Sequence, residues 1–237
     1  MDRAQLWVYL AEQPLMWLTV TLLAYMGGHA LFVRSGHRAW VNPVAIAGLS
    51  LAAILVVTGT PYSEYFEGAQ FVHFLLGPAT VALAWPLHKN WASVSRLLVP
   101  LFCALIAGSL ISVGSAVAIA YALGAPSEVW LSLAPKSVTS PIAMGVAEKI
   151  GGLPALTAGL VVSTGIIGAI MVTPLMDAMG IRDWRARGMA VGVAAHGIGT
   201  ARAFQVNPVA GVFAATAMVL NALVTALVAS LLAGTGT

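Results

Sequence analysis

Charge is what this sequence has least of. Only 8% of its 237 residues are Asp, Glu, Lys or Arg, against roughly a quarter in an average soluble domain. So few charges cannot cover a water-soluble surface. That excludes an ordinary cytosolic enzyme, a disordered chain and a nucleic-acid binder. The formal net charge of +3 reflects scarce acids, eight against eleven bases, and marks no basic patch. Cysteine is nearly absent too: the single Cys103 sits in an apolar run. An internal disulfide framework is therefore excluded, and the residue reads as packing. Also missing are an HExxH metal pair, a P-loop, a GxSxG elbow and paired Cys ligands. No catalytic residue, metal site or cofactor is expected, and the chain is not read as an enzyme.

What is present is apolar: 59% of residues, with 24 glycines and 12 prolines. Both Gly and Pro are commoner in membrane helices than in soluble ones. A spanning helix needs about 20 mostly apolar residues. Five stretches qualify: 15–33, 42–60, 97–123, 153–174 and 209–233. A sixth, 70–88, is interrupted by Gly77-Pro78 and by Pro86, which makes Pro78 an expected helix break. The expected fold class is an all-α polytopic membrane protein with about six spanning helices, forming one membrane domain over 1–237. No small-residue cleavage site follows the first segment, so no secretory signal peptide is expected. Leu6, Trp7, Tyr9 and Leu10 before it suit a short interfacial helix.

Loop charge gives an orientation, because Lys and Arg accumulate on the cytoplasmic side. Arg34 and Arg38, then Lys89 and Arg96, then Arg182, Arg185 and Arg187 mark three inner loops. Glu64 with Glu67, and Glu128, mark outer ones. The pattern is consistent with an outside N-terminus.

Residues 133–150 (LAPKSVTSPIAMGVAEKI) and 186–206 (ARGMAVGVAAHGIGTARAFQV) fit neither spans nor loops. The topology makes each leave and return on one face, as two re-entrant hairpins from opposite sides. Such backbone is tolerated at membrane depth only where protein or a water-filled cavity satisfies its polar groups. The preceding spans align without gaps: Pro100 with Pro154, Ala104 with Ala158, Ser109 with Ser163, Gly114 with Gly168. Thr139-Ser140-Pro141-Ile142-Ala143 also resembles Gly199-Thr200-Ala201-Arg202-Ala203. The expectation is an inverted repeat over 97–150 and 151–206, the pattern of transporters whose site lies between repeats near the midplane.

The tips suit an anion. Pro is favoured at the first helical position and Ser or Thr as its cap. A helix is therefore expected from Pro141 through Ile150, its N–H groups and positive dipole end facing the tip. Ser137, Thr139 and Ser140 add hydroxyls there, and Lys136 a full charge. In the second hairpin Gly197 and Gly199 allow a close turn, Thr200 can cap a helix through Arg202, and Arg202 offers a fork to a carboxylate. His196 is the coupling candidate, since its ring titrates near neutrality.

The strings PKSVTSPIA at 135–143, EKIGG at 148–152 and AAHGIGTARAF at 194–204 resemble the signature segments of the LrgB/CidB family, as does LGPATVALAWPL at 76–87. That family of bacterial membrane proteins includes YohK-like members, and it resembles the C-terminal half of the plastidial glycolate/glycerate translocator. The resemblance covers nearly the whole chain. It departs at Ser140, where threonine is expected; the hydroxyl survives. Two functions are implied. One is transport of small monocarboxylates of the pyruvate, glycolate or glycerate class. The other is antiholin-like regulation of murein hydrolase activity and cell lysis with an LrgA/CidA-type partner. A holin-like pore has no need of opposed capped hairpins with buried cations, so the residue chemistry favours transport. The partners expected are the lipid bilayer, a small carboxylate, a second copy of the chain and an LrgA/CidA-type protein. The expected location is the bacterial inner membrane.

Single cysteines placed at 128–132 should react with an impermeant thiol reagent from outside, and those at 180–186 from inside. Labelling of both loops from one face would contradict the opposed hairpins.

Overall fold

The computed structural model describes residues 14–234 apart from residue 83. The tail carrying Leu6, Trp7, Tyr9 and Leu10 lies outside the described residues. Helices, and no strands, make up the secondary structure of the described residues. Four are long and apolar enough to cross a membrane: Leu15–Arg34, Leu98–Ala122, Pro154–Ala178 and Pro208–Leu227. The apolar helix Pro43–Thr58 is shorter. Packing divides the chain into two units, one ending at Ala79 and the other beginning at Thr80.

In the first unit, α1 (Pro14–Arg34), α2 (Pro43–Thr58) and most of α3 (Tyr62–Ala82) assemble. Asn42 caps α2, accepting from the Val44 and Ala45 amides, with Pro43 at the first turn. Gly28 lets α1 meet α2 closely: a Cβ there would stand 2.7 Å from the Pro43 carbonyl oxygen. The fully buried Trp17 sets its ring edge-on to Tyr65, centroids 5.8 Å apart, and Thr21 shares a 3.2 Å hydrogen bond with the Tyr65 hydroxyl. Pro78 does not break α3, which runs on to Ala82. A proline removes one ladder bond and crowds the preceding turn, a defect that neighbouring groups absorb in apolar helices.

In the second unit, short helices α4 (Ala84–Lys89) and α5 (Trp91–Ser95) lead into α6 (Leu98–Ala122). Then come α7 (Ser127–Leu133), α8 (Ser140–Ile150), α9 (Pro154–Ala178), α10 (Trp184–Val206) and α11 (Pro208–Gly234). The centre of this unit is α11, which buries Phe213, Ala214, Ala217, Met218 and Asn221. Its neighbour α10 reaches it through glycines. A Cβ on Gly188 would collide with the Ala210 backbone, and one on Gly192 with the Ala214 carbonyl. Small residues at helix contacts are how apolar helices pack without a hydrophobic driving force.

α10 is two half-helices. His196 sits at φ 39°, ψ −135°, and the chain reverses there. Val191 and Gly199 would lie about 12 Å apart along a straight helix. Here a Cβ on Gly199 would stand only 2.7 Å from Val191 Cγ1. The first arm climbs alongside α11, Gly188 against Ala210 and Gly192 against Ala214. The second arm descends it, with Thr200 at Met218 and then Phe204 on Gly211.

The stretch from α7 to α8 also leaves and returns. Ser132 Oγ accepts from the Leu153 amide at 2.7 Å, and Thr157 Oγ1 donates to the Ser132 carbonyl at 3.1 Å. The twenty residues between these ends include α8, which starts at Ser140 with Pro141 in its first turn. Pro141 therefore marks a helix start, as the sequence indicates.

Gly192→Val should destabilise the protein by about 1–3 kcal/mol, the usual cost of overpacking. Gly114→Ala meets nothing within 4 Å and should be neutral or stabilising by up to about 1 kcal/mol. Thermal midpoints in detergent would show the difference; equal effects would contradict the close α10–α11 contact.

Candidate functional site between two hairpin tips

Both excursions end on one residue of α9. Val161 packs with Val138, Ile142 and Ala143 of the first hairpin. Its carbonyl accepts from His196 Nε2 of the second, at 2.8 Å. Gly165, one turn on, makes room for the ring: a Cβ there would stand 2.6 Å from His196 Cε1. A carbonyl only accepts, so Nε2 carries a proton, and in the neutral form of the ring Nδ1 holds the lone pair.

A second junction is the Asn221 side chain, 2% exposed on α11. Its Nδ2 donates to the Ser137 carbonyl at 3.2 Å and to the Val193 carbonyl at 3.3 Å. Its Oδ1 accepts from Ser109 of α6 at 2.6 Å. One amide thus ties the first hairpin, the first arm of the second hairpin and α6 together. Ser137 and Val193 lie just before their respective tips.

Lys136 lies beside this junction. Its Nζ donates to Ser112 Oγ at 2.9 Å and Ser137 Oγ at 3.3 Å, and those hydroxyls are 2.7 Å apart. Among the described residues no carboxylate lies within ion-pair distance of it. Thr139 stands at the N-cap of α8 but makes no capping bond. Its Oγ1 is buried without a partner, in a residue 8% exposed. The first tip therefore combines a cation, an unused hydroxyl and the uncapped amides of a helix start, with Ser140 opening that helix.

The second tip differs from expectation. The turn falls at His196-Gly197, so of the two glycines expected there Gly197 lies at it and Gly199 does not, because His196 takes the strained conformation itself. Thr200 does not cap a helix; it donates back to the His196 carbonyl at 2.7 Å within the second arm. Gly199 packs inside the hairpin against Val191 and Ala195, while Gly197 faces only Met218 Sδ, at 4.0 Å. Arg202 is correspondingly displaced from the tip: it lines a small recess with Arg187, Trp184 and Thr173. Arg187, read as a loop charge, is 8% exposed and donates to the Ile181 carbonyl at 2.6 Å and to Asp177. Its guanidinium also lies over Trp184, 5.0 Å from the ring centroid. These contacts fasten the base of the second hairpin to the end of α9.

Sequence reasoning missed Asn221, Ser109 and Ser112. A carboxamide inside the apolar run VLNALVTALV was the available signal for Asn221, since polar groups within spans are expensive and need partners.

The LrgB-like family model matches residues 21–235. The chain is 35% identical to the uncharacterized protein YwbG of Bacillus subtilis, over 88% of this chain and 92% of YwbG. It is 28% identical to the holin-like protein CidB of Staphylococcus epidermidis, over 78% of this chain and 80% of CidB. The holin-like protein CidB of Staphylococcus aureus strain Mu50 is 26% identical over 90% and 92%. No solved structure matches significantly.

Asn221→Ala removes three hydrogen bonds of a buried side chain and should cost about 1–3 kcal/mol. Ser109→Ala should cost less. In a double-mutant cycle the pair should couple by at least about 0.5 kcal/mol, read from unfolding midpoints; strictly additive effects would contradict the shared hydrogen bond.

Proposed function

The chain belongs to the LrgB-like family of multi-pass membrane proteins, and from that premise we propose a holin-like role in controlling murein hydrolase activity and lysis, exerted by moving a small monocarboxylate across the membrane. The names of the CidB relatives support the first half. One observation carries the second: Lys136 has hydroxyl partners and, among the described residues, no carboxylate. Lys136 is half-buried, and a charge partly withdrawn from water gains from a counter-ion, so an anion suits this site. Thr139 Oγ1 and the α8 N-terminus supply further donors for a carboxylate.

In this reading the two excursions are re-entrant hairpins of opposite orientation, with the N-terminus outside, and 97–150 and 151–206 act as inverted repeats. Lys136, Ser137, Thr139 and Ser140 hold the substrate, and Gly197, Gly199 and Thr200 shape the facing hairpin. Arg202 acts from the hairpin base. An anion entering against an inside-negative potential loses about 2.3 kcal/mol per 100 mV, so accumulation needs a co-transported cation. In this reading His196 is the coupling residue, because its Nε2 bond to Val161 leaves Nδ1 as an acceptor in the neutral ring. A second copy of the chain and an LrgA/CidA-type protein are the membrane partners.

The two halves separate experimentally. A bacterium lacking the gene is complemented with wild type, Lys136→Ala or Lys136→Arg, and both autolysis and uptake of labelled pyruvate and glycolate are followed. Lys136→Ala should reduce uptake about 10–150-fold, the loss of a hydrogen-bonded charge contact worth roughly 1.5–3 kcal/mol, and should alter autolysis in parallel. Altered autolysis with uptake unchanged would retain the holin-like role and remove carboxylate movement as its basis.

A further inference from the structure

Beside the Lys136 cluster, within the second unit, is a cavity of about 230 Å³ with almost wholly apolar walls. It is framed by α6, the first hairpin and α11, with Val113, Pro135, Val146 and Val224 among its lining residues. Its position relative to the cation follows from the chain. Pro135 in its wall directly precedes Lys136. Val113 in its wall directly follows Ser112, whose hydroxyl accepts from Lys136 Nζ. Ser109, one helical turn before Ser112, also lines it and is already committed to Asn221. Thr225 of α11 is the other hydroxyl residue in the lining, yet almost none of the exposed wall is polar. Lys136 is not itself a lining residue; it directly follows Pro135 in the chain and has no carboxylate partner among the described residues.

We infer that the carboxylate site extends into this cavity, so that the ligands bound best are short-chain alkyl monocarboxylates, with the head at Lys136 and the tail between α6, α8 and α11. This rests on the anion reading above and adds the chemistry of the rest of the molecule. Space on the order of seven water-sized volumes of ~30 Å³ suits a chain of several carbons. A second carboxylate would find no partner on such walls and would lose its hydration, so dicarboxylates are excluded, and added hydroxyls weaken binding in the tail region. The same head-and-tail chemistry exists in a membrane lipid. Leu110, which lines the cavity, is 68% exposed at the protein's outer surface, so a lipid acyl chain is the competing occupant.

The test is calorimetric binding of acetate, butyrate, hexanoate and succinate to the purified full chain, with Lys136→Ala, Leu110→Trp and Val113→Phe beside wild type. Wild type should bind more tightly with each added methylene, by up to about four-fold per group, equivalent to about 0.8 kcal/mol, and should not bind succinate. Leu110→Trp and Val113→Phe, which fill the cavity from two sides, should bring the hexanoate-to-acetate ratio toward one. Lys136→Ala should lose the whole series. Acetate binding with no dependence on chain length would overturn the tail site and leave the carboxylate reading standing. A chain-length dependence unchanged in both filled variants would also overturn it. Absence of binding by every acid would overturn the carboxylate reading itself. Phospholipid that co-purifies with wild type, is lost from both filled variants and is not displaced by hexanoate would assign the cavity to lipid.

Discussion

The Asn221 carboxamide is the interaction on which the second unit depends. It is buried in α11, and its three hydrogen bonds reach the first hairpin at Ser137, the second at Val193 and α6 at Ser109. In an apolar solvent, backbone that leaves the helical ladder must find partners within the protein. The two chain reversals create such backbone, and a single side chain serves carbonyls from both. The glycines of α10 let α11 come close enough for this: with side chains at 188 and 192 the helices would stand apart, and Asn221 would not reach Val193.

The two tips are chemically unequal. The first carries the charge of Lys136, the unused Thr139 hydroxyl and a helix start. The second carries a ring held by a backbone carbonyl, with the strain concentrated in one residue. Val161 touches both, so a displacement of either hairpin is felt by the other through α9. In the proposed reading the first tip binds the anion and the second registers its presence. The arginines of the second hairpin sit at its base, where Arg187 is tied to Asp177 and Ile181, and there they fasten the hairpin to α9.

Much of this architecture is legible in the sequence. Low charge and long apolar runs give four of the about six spans expected, while 42–60 forms the shorter α2 and 70–88 falls in α3 and α4; small, hydroxylated stretches at 133–150 and 186–206 give the chain reversals. Pro141 after Thr139-Ser140 gives the start of α8 almost to the residue. What is not legible has physical reasons. Gly197 and Gly199 read as the turn because glycine is the residue expected at a strained position, whereas His196, directly before Gly197, adopts that conformation, with its ring held by Val161. Pro78 reads as a break because proline disrupts isolated helices, yet α3 continues through it. Asn221 was hidden by its apolar surroundings: its importance lies in partners 28, 84 and 112 residues away, which no local pattern encodes.

Whether Lys136 meets a carboxylate is read most directly by solid-state NMR of the protein in bilayers, with nitrogen-15 at lysine Nζ and carbon-13 at the carboxyl of added butyrate. A dipolar coupling corresponding to a separation of about 4 Å, the range of an ion pair, is expected in wild type and should vanish in Lys136→Gln. Bound butyrate with no coupling to any lysine, or a coupling that survives Lys136→Gln, would contradict an anion site at the first hairpin tip.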